Sequence, residues 1–172
     1  MCSLMIMTRY GFGGWRFLVA VTLAGMLAAC GTSPRSGPGF VDGYANDEVS
    51  GARHEVVRSA GQLIGTPYRY GGANRRGFDC SGLVQYTHGL AGVEVPRTTE
   101  EQLAQARVPE RRNLLPGDLL FFDIDWQKNR HVGIYEGGGV FIHAPSSGKR
   151  VSRASLKNPY WSSRLIATKT FL

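Results

Sequence analysis

The chain has 172 residues, 42% of them hydrophobic, which suits one compact domain with short extensions. This length excludes a second independent core of ordinary size. The formal charge of +7 favours an anionic partner, but no run of basic residues interleaved with aromatic ones is present. Nucleic acid is therefore not expected as a partner.

The first 29 residues have the organisation of a bacterial secretion signal. Arg9 and Arg16 precede an apolar run over residues 17–27, which is shorter than the roughly 20 residues of a membrane span. The segment Leu27-Ala28-Ala29-Cys30 resembles a lipobox, in which the cysteine is acylated after cleavage. We therefore predict a lipoprotein signal peptide over residues 1–29. An ordinary signal peptide with an accidental cysteine is the alternative.

Acylation of Cys30 would anchor the mature chain to a membrane. Gly31, in place of aspartate, is compatible with sorting to the outer membrane of a Gram-negative host. We therefore expect a lipid-anchored protein of the cell envelope, in the outer membrane and facing the periplasm. Removal of the signal leaves 18 basic and 13 acidic residues, a formal charge of +5.

The mature chain is predicted to consist of a tether and a single domain. Residues 30–50 are assigned to the lipidated N-terminus and a flexible tether because Gly, Ser and Pro are frequent there. The globular domain is predicted over residues 51–172. It begins with a helix from about Arg53 to Ile64, where apolar residues recur with helical spacing before Gly65 and Pro67.

Cysteine usage singles out Cys80. Cys2 is removed with the signal and Cys30 carries lipid, so Cys80 has no partner for a disulfide. An unpaired thiol in an oxidising compartment favours a chemical role, although a buried cysteine that acts as a small hydrophobe is the alternative. Asp79 is a predicted N-cap, which places Cys80 in a first helical turn, where the helix dipole lowers a thiol pKa. The buried stripe of that helix is predicted at Leu83, Tyr86 or Thr87, and Leu90.

The second half of the chain is predicted to be mainly β-structure. A short apolar run over residues 119–122 is typical of a strand. A hairpin follows, with strands over 131–136 and 140–144 around a loop over 137–139. A last strand is predicted from Leu165 to Phe171.

The predicted hairpin brings two histidines together. A loop over 137–139 places His143 opposite Gly133, so His131 is a diagonal neighbour of His143 on the same face, about 7 to 8 Å away at the backbone. A different loop length would make the two histidines direct cross-strand partners. One imidazole can then orient the other. The opposite, core face is predicted to hold Val132, Ile134, Val140 and Ile142. The remaining histidines, assigned to the surface or to structural roles, are His54 and His88.

Five ordered sequence blocks resemble signatures of the NlpC-type cell-wall cysteine peptidases, in lipoprotein form. The blocks are GTPYRYGG at 65–72, DCSGLV at 79–84, PRTT at 96–99, LPGDL at 115–119 and HVGIY at 131–135. The resemblance extends from about Arg53 to the last residue. It implies an α+β, papain-like fold in which the helix that bears the nucleophile packs on an antiparallel sheet.

The resemblance also implies roles for individual residues. Cys80 is the implied nucleophile, His131 the general base and then acid, and His143 the polar third member. Tyr68 matches the tyrosine that helps to form the oxyanion site.

Two further positions carry an implied substrate role. Asp79 and Ser81 match positions associated with holding the stem peptide of the substrate. An N-cap role accounts for Asp79 without any substrate. Arg97 and Asp118 are assigned to fixing loops.

The implied activity is that of a peptidoglycan endopeptidase, with the bond between D-glutamate and diaminopimelate favoured. Cleavage of D-alanyl-diaminopimelate crosslinks is one alternative, and a catalytically idle wall-binding lipoprotein, a transferase and a thioesterase are others. No cofactor is needed. No metal is expected, because His131 and His143 lack the spacing and the adjoining Glu of zinc peptidases. The expected partners are stem peptides and, through the lipid, the membrane; the chain itself is expected to be a monomer.

Overall fold

The computed structural model describes residues 39–111, 113–124 and 130–172, with side chains from residue 50 onward. The predicted signal peptide, Cys30 and residues 31–38 of the predicted tether lie outside these ranges. Within them, no helix combines the length and the apolar character that crossing a membrane requires.

The described part of the chain contains four helices. They are α1 (Gly39–Gln62), α2 (Cys80–Leu90), α3 (Thr99–Gln105) and α4 (Pro159–Ser162). Helix α1 ends close to the predicted position but begins well before Arg53, so the structure corrects the tether prediction over residues 39–50. No proline interrupts the chain between Gly39 and Gly65, so no residue of this segment lacks the N–H that a helical hydrogen bond requires.

Within the described ranges, five strands form one antiparallel sheet, and two short ones form a separate hairpin. The strands are β1 (Ala73–Asn74), β2 (Gly77–Phe78), β3 (Leu119–Asp123), β4 (Arg130–Gly137), β5 (Val140–His143), β6 (Ser152–Ser155) and β7 (Leu165–Lys169). The order in the large sheet is β6-β5-β4-β3-β7, and β1 pairs with β2. The predicted α+β class is confirmed, and the last strand ends two residues earlier than expected.

The β4–β5 hairpin has the predicted register along most of its length. Ile134 lies opposite Ile142, as the sequence indicates. Near the turn, Gly137 pairs with Val140, so a bulge shortens the loop to Gly138-Gly139. All three glycines have positive φ, a conformation that glycine adopts without steric cost.

The main core lies between the sheet and helices α1 and α2. The predicted core residues Val132, Ile134 and Ile142 are fully buried there, whereas Val140 is only half-buried. On α2, Leu83 and Thr87 are buried as predicted, but Leu90 is 49% exposed. Helical spacing continues the buried stripe through His88 to Ala91, so the predicted burial of Leu90 is wrong.

A second, smaller cluster covers the other face of the sheet. It consists of Leu120, Phe122 and Phe141, with Trp161 and Leu165 packed against it. Because residues directly opposite each other share a face, this is also the face of the two hairpin histidines. The sheet therefore carries its aliphatic core on one side and an aromatic layer on the other.

His88 has the structural position assigned to it. It is fully buried on α2, and its Nδ1 lies 2.9 Å from the Val84 carbonyl oxygen, to which the ring N–H donates. Its Nε2 has no hydrogen-bond partner among the described residues. Burial lowers the pKa of His88 to about 4.

This lowered pKa predicts an acid-sensitive contribution to stability. The unfolded chain binds the proton at His88 near pH 6.5 and the folded chain only near pH 4, so the stabilisation present at pH 7 is lost as pH falls through that window. Between pH 7 and pH 4, the free energy of unfolding should fall by about 3 kcal/mol less in His88→Leu than in the wild type. Urea unfolding at several pH values measures it. The exposed His54→Leu is the control, and parallel pH curves for wild type and His88→Leu would refute the prediction.

Candidate active site

Cys80 is the first residue of α2, where the sequence placed it. The predicted N-cap is confirmed: the Asp79 carboxylate accepts a hydrogen bond from the Gly82 N–H at 2.7 Å. The thiol is half-buried. A nucleophile at this point is fixed by the helix and still reaches the surface.

Two motif glycines bring the start of α2 against the Gly-rich loop. A Cβ on Gly82 would collide with the Gly72 carbonyl oxygen, and a Cβ on Gly72 would collide with that of Gly77. The Asp79 N–H donates to the Gly72 carbonyl at 3.0 Å. This close approach sets Cys80 beside the loop that carries Tyr68.

Burial, more than any other influence, determines the state of the thiol. It raises the pKa of Cys80, while hydrogen bonds with Thr99, Val132 and Ser81 act in the opposite direction. The contact with Thr99 Oγ1 is 3.5 Å long. The sequence predicted a pKa lowered by the helix N-terminus, and the structure corrects this. A raised pKa favours the neutral thiol, which requires a base to become a nucleophile.

The two hairpin histidines form a direct hydrogen bond. His131 Nε2 lies 2.8 Å from His143 Nδ1, and the ring planes are 85° apart. Both side chains are almost completely buried. The predicted pairing on one face is confirmed, and it leaves Nδ1 of His131 as the ring nitrogen available to another group.

Both imidazoles are neutral at neutral pH. Burial lowers the pKa of His131 to about 3, with a further contribution from His143, and burial lowers the pKa of His143 to about 4. If His131 Nδ1 is to accept a proton, its Nε2 must carry the hydrogen and donate it to Nδ1 of His143. The pair is thus built to hold one tautomer of His131.

Cys80 and His131 line one cavity of about 610 Å³. The predicted site residues in its wall are Tyr68, Asp79, Cys80, Ser81 and His131. His143 lies behind His131 and lines a neighbouring groove. The structure therefore brings all six residues with predicted catalytic or substrate-binding roles into one region, with His143 in the supporting layer.

Tyr68 is held at the cavity wall by its main chain and remains a hydrogen-bond donor. Its N–H donates to the Lys149 carbonyl oxygen at 2.9 Å. Burial raises the pKa of Tyr68, and the neighbouring Cys80 and Asp79 raise it further. The phenol therefore stays protonated and can donate to a negatively charged oxygen in the cavity.

The carboxylate of Asp79 is fully engaged within the protein. It accepts hydrogen bonds from the N–H groups of Gly71 and Gly82, from the Ser81 hydroxyl and from both terminal nitrogens of Arg97. Arg97 also donates to Ser81 Oγ at 3.0 Å. Arg97 thus fixes this loop, as predicted. Substrate contact through Asp79 and Ser81 stays a prediction.

Sequence reasoning missed two residues of the site. Thr99, beside the thiol, belongs to the PRTT block, and the capping box between Thr98 and Glu101 marks the start of its helix. Trp161 packs against both imidazoles, with ring centroids 5.7 Å from His131 and 4.9 Å from His143. Nothing in its local sequence indicates this contact, which depends on the tertiary fold.

Trp161 is expected to shield the hydrogen bond between the imidazoles from water. We expect Trp161→Ala to lower turnover about tenfold and to move the acidic limb of the pH–rate profile to higher pH, because hydration raises histidine pKa values toward 6.5. Trp161→Phe keeps a ring at this position and should retain most activity. Complete pH–rate profiles of both variants provide the test. An unshifted acidic limb in Trp161→Ala contradicts the shielding role.

The helix-borne cysteine and the sheet-borne imidazole pair define an α+β, papain-like arrangement. The family model described as NlpC/P60 family matches residues 65–170, and the chain belongs to this family. The NlpC-type resemblance of the five sequence blocks is confirmed, and the lipoprotein form stays a prediction.

Three relatives illustrate the range of the similarity. The chain is 34% identical to the probable endopeptidase NlpC homolog of Haemophilus influenzae, over 86% of this chain and 93% of that protein. It is 42% identical to the murein DD-endopeptidase MepH of Escherichia coli, over 71% of this chain and 47% of that protein. The crystal structure of an NlpC/P60 family protein from Bacillus cereus superimposes with a TM-score of 0.64 at 28% identity, over 70% and 40% of the chains.

Proposed function

We propose that this chain is a peptidoglycan hydrolase, a cysteine endopeptidase that cuts stem peptides. Cys80 is the nucleophile, His131 the general base and acid, and His143 the residue that orients His131. The observation that carries the proposal is the 2.8 Å hydrogen bond from His131 to His143, behind a cavity that Cys80 and His131 share. Relatives named as murein and NlpC endopeptidases support the substrate class.

The reaction begins with a neutral thiol and a neutral imidazole. His131 Nδ1 takes the proton of Cys80, and the thiolate sulfur attacks the carbonyl carbon of the scissile amide. The oxyanion accepts a hydrogen bond from the Tyr68 phenol. The carbon–nitrogen bond then breaks, and His131 gives its proton to the leaving amine. Water, activated by the same imidazole, hydrolyses the acyl-enzyme and regenerates the thiol.

The favoured bond joins D-glutamate to diaminopimelate, as the family resemblance implies. The similarity to a relative named as a DD-endopeptidase favours a second candidate, the D-alanyl-diaminopimelate crosslink. The two bonds differ on the acyl side. The γ-linked D-glutamate retains its free α-carboxylate on the acyl side of the scissile amide, whereas D-alanine has none.

Digestion of isolated sacculi distinguishes these functions. We expect mass spectrometry of the products to reveal stems shortened to end at D-glutamate, together with fragments whose new amino terminus is diaminopimelate. Opened crosslinks with intact stems would establish the second candidate. Binding to sacculi without any product, equal to that of Cys80→Ala, would refute a hydrolase and leave a wall-binding protein.

We also propose that Cys30 carries lipid and anchors the protein in the outer membrane, facing the periplasm. The segment Leu27-Ala28-Ala29-Cys30 and the following Gly31 support this. Stable anchoring needs two or more acyl chains, which a lipoprotein N-terminus provides. We expect Cys30→Ser to leave the membrane fraction, with the unmodified chain fractionated in parallel. Retention of all Cys30→Ser protein in membranes would contradict anchoring through this residue.

A further inference from the structure

A second groove adjoins the cavity of Cys80. This β6 groove, of about 540 Å³, is lined by His143, Ser146, Lys149, Arg153, Tyr160 and Trp161, among others. It shares Ile124, Pro145 and Ser146 with the Cys80 cavity, so the two depressions are continuous. The roles described above involve His143 and Trp161 but none of the other residues that line this groove.

In the reaction proposed above, the two depressions hold different halves of the substrate. Tyr68 and Cys80, which hold the oxyanion and the acyl carbon, lie in the first cavity. The leaving amine must depart next to His131, because that imidazole delivers the proton. Because Tyr68 and Cys80 hold the acyl half in the first cavity, the adjoining β6 groove is the depression left for the amine half.

The charges of the β6 groove favour an anionic occupant. Arg153 donates two hydrogen bonds to the Glu136 carboxylate, at 2.6 and 2.7 Å, which compensates its charge. Lys149 has an exposed side chain, and no acidic group lies within ion-pair distance of it in the described parts of the chain. Among the described residues, the lining of the groove thus includes one ammonium group with no carboxylate in ion-pair contact, together with the aromatic ring of Trp161.

The backbone of Lys149 is fixed relative to the catalytic residues. Its N–H donates to the Ser146 carbonyl at 3.0 Å, and its own carbonyl accepts the N–H of Tyr68 at 2.9 Å. Gly148, with φ of 78°, makes the turn from Ser146 to Lys149 possible. A flexible ammonium group on a fixed backbone can reach a carboxylate close to the scissile bond.

We propose that the β6 groove binds the amine-side half of the stem peptide and that Lys149 recognises a carboxylate on that half. The inference rests on the proposed function. Diaminopimelate fits the requirement, because it bears carboxylates together with the amine released by cleavage. Amidation of those carboxylates removes the negative charge and leaves the shape of the residue nearly unchanged. Lys149 thus makes the enzyme selective for the unamidated substrate.

Binding to an inactive chain tests the inference independently of catalysis. The mature Cys80→Ala chain is titrated calorimetrically with L-alanyl-γ-D-glutamyl-diaminopimelate, with the diaminopimelate carboxylates either free or amidated. We expect Lys149→Gln in this background to weaken binding of the free-acid peptide about fivefold and to leave the amidated peptide unaffected. The matched control is Lys157→Gln, because Lys157 is exposed and does not line the groove.

Three results would overturn the inference. They are equal affinity of the Cys80→Ala chain for the two peptides, an equal loss in Lys157→Gln, and no detectable binding of the free-acid peptide. Failure of the proposed function gives a different result. If the unmodified chain releases no product from sacculi while Cys80→Ala binds the peptide in a carboxylate-dependent manner, the groove assignment stands and the hydrolytic reaction is wrong.

Discussion

Replacement of Cys80 by alanine is expected to abolish hydrolysis of sacculi, with a loss on the order of 10³-fold or more. The side chain supplies the only atom that forms a covalent bond with the substrate in the proposed reaction. Because the thiol is half-buried at the start of α2, its loss should leave the fold intact. Product release measured by mass spectrometry gives the activity, and thermal unfolding gives the stability.

Cys80→Ser is the matched control for this experiment. It preserves the shape of the side chain, but a hydroxyl is a much weaker acid than a thiol, so activity should also be lost. If Cys80 had only a structural role, the opposite pattern would be expected. Retained turnover in Cys80→Ala, together with a large fall in melting temperature, would show that the residue serves packing alone.

The elements nearest the site were predictable because their signals are local. Asp79 stands directly before the helix that begins with Cys80, and an aspartate at such a position by itself indicates an N-cap. The three glycines after Glu136 determine the position of the turn. The position of the turn then determines that His131 and His143 lie on the same face. The positions of the two histidines along their strands were therefore enough to predict that their side chains meet.

Other features depend on the tertiary fold and could not be read from the sequence. Strand β6 has no apolar alternation, and its pairing with β5 alone defines it. The raised pKa of Cys80 results from burial, which outweighs the lowering effect of its hydrogen bonds. The contact of Trp161 with the imidazoles joins α4 to the hairpin. In contrast, α3 was overlooked although its capping box is a local signal.

The two histidines should respond differently to substitution by asparagine. His131 must accept a proton from Cys80 and return it to the leaving amine, which an imidazole can do and an amide cannot. His131→Asn should therefore lose nearly all turnover. This variant keeps a polar side chain of smaller size next to His143, so a measurement of thermal stability separates loss of chemistry from loss of fold.

His143 has the lesser task of accepting one hydrogen bond from Nε2 of His131, at 2.8 Å in the structure. A side-chain carbonyl oxygen can accept that bond and hold the same tautomer, as in Cys-His-Asn enzymes. We expect His143→Asn and His143→Gln to keep substantial activity, and His143→Ala to lose more, because it leaves a buried donor of His131 unpaired. Sacculus-hydrolysis rates of the four variants decide the assignment: an active His131→Asn beside an inactive His143→Asn would reverse the roles of the two residues.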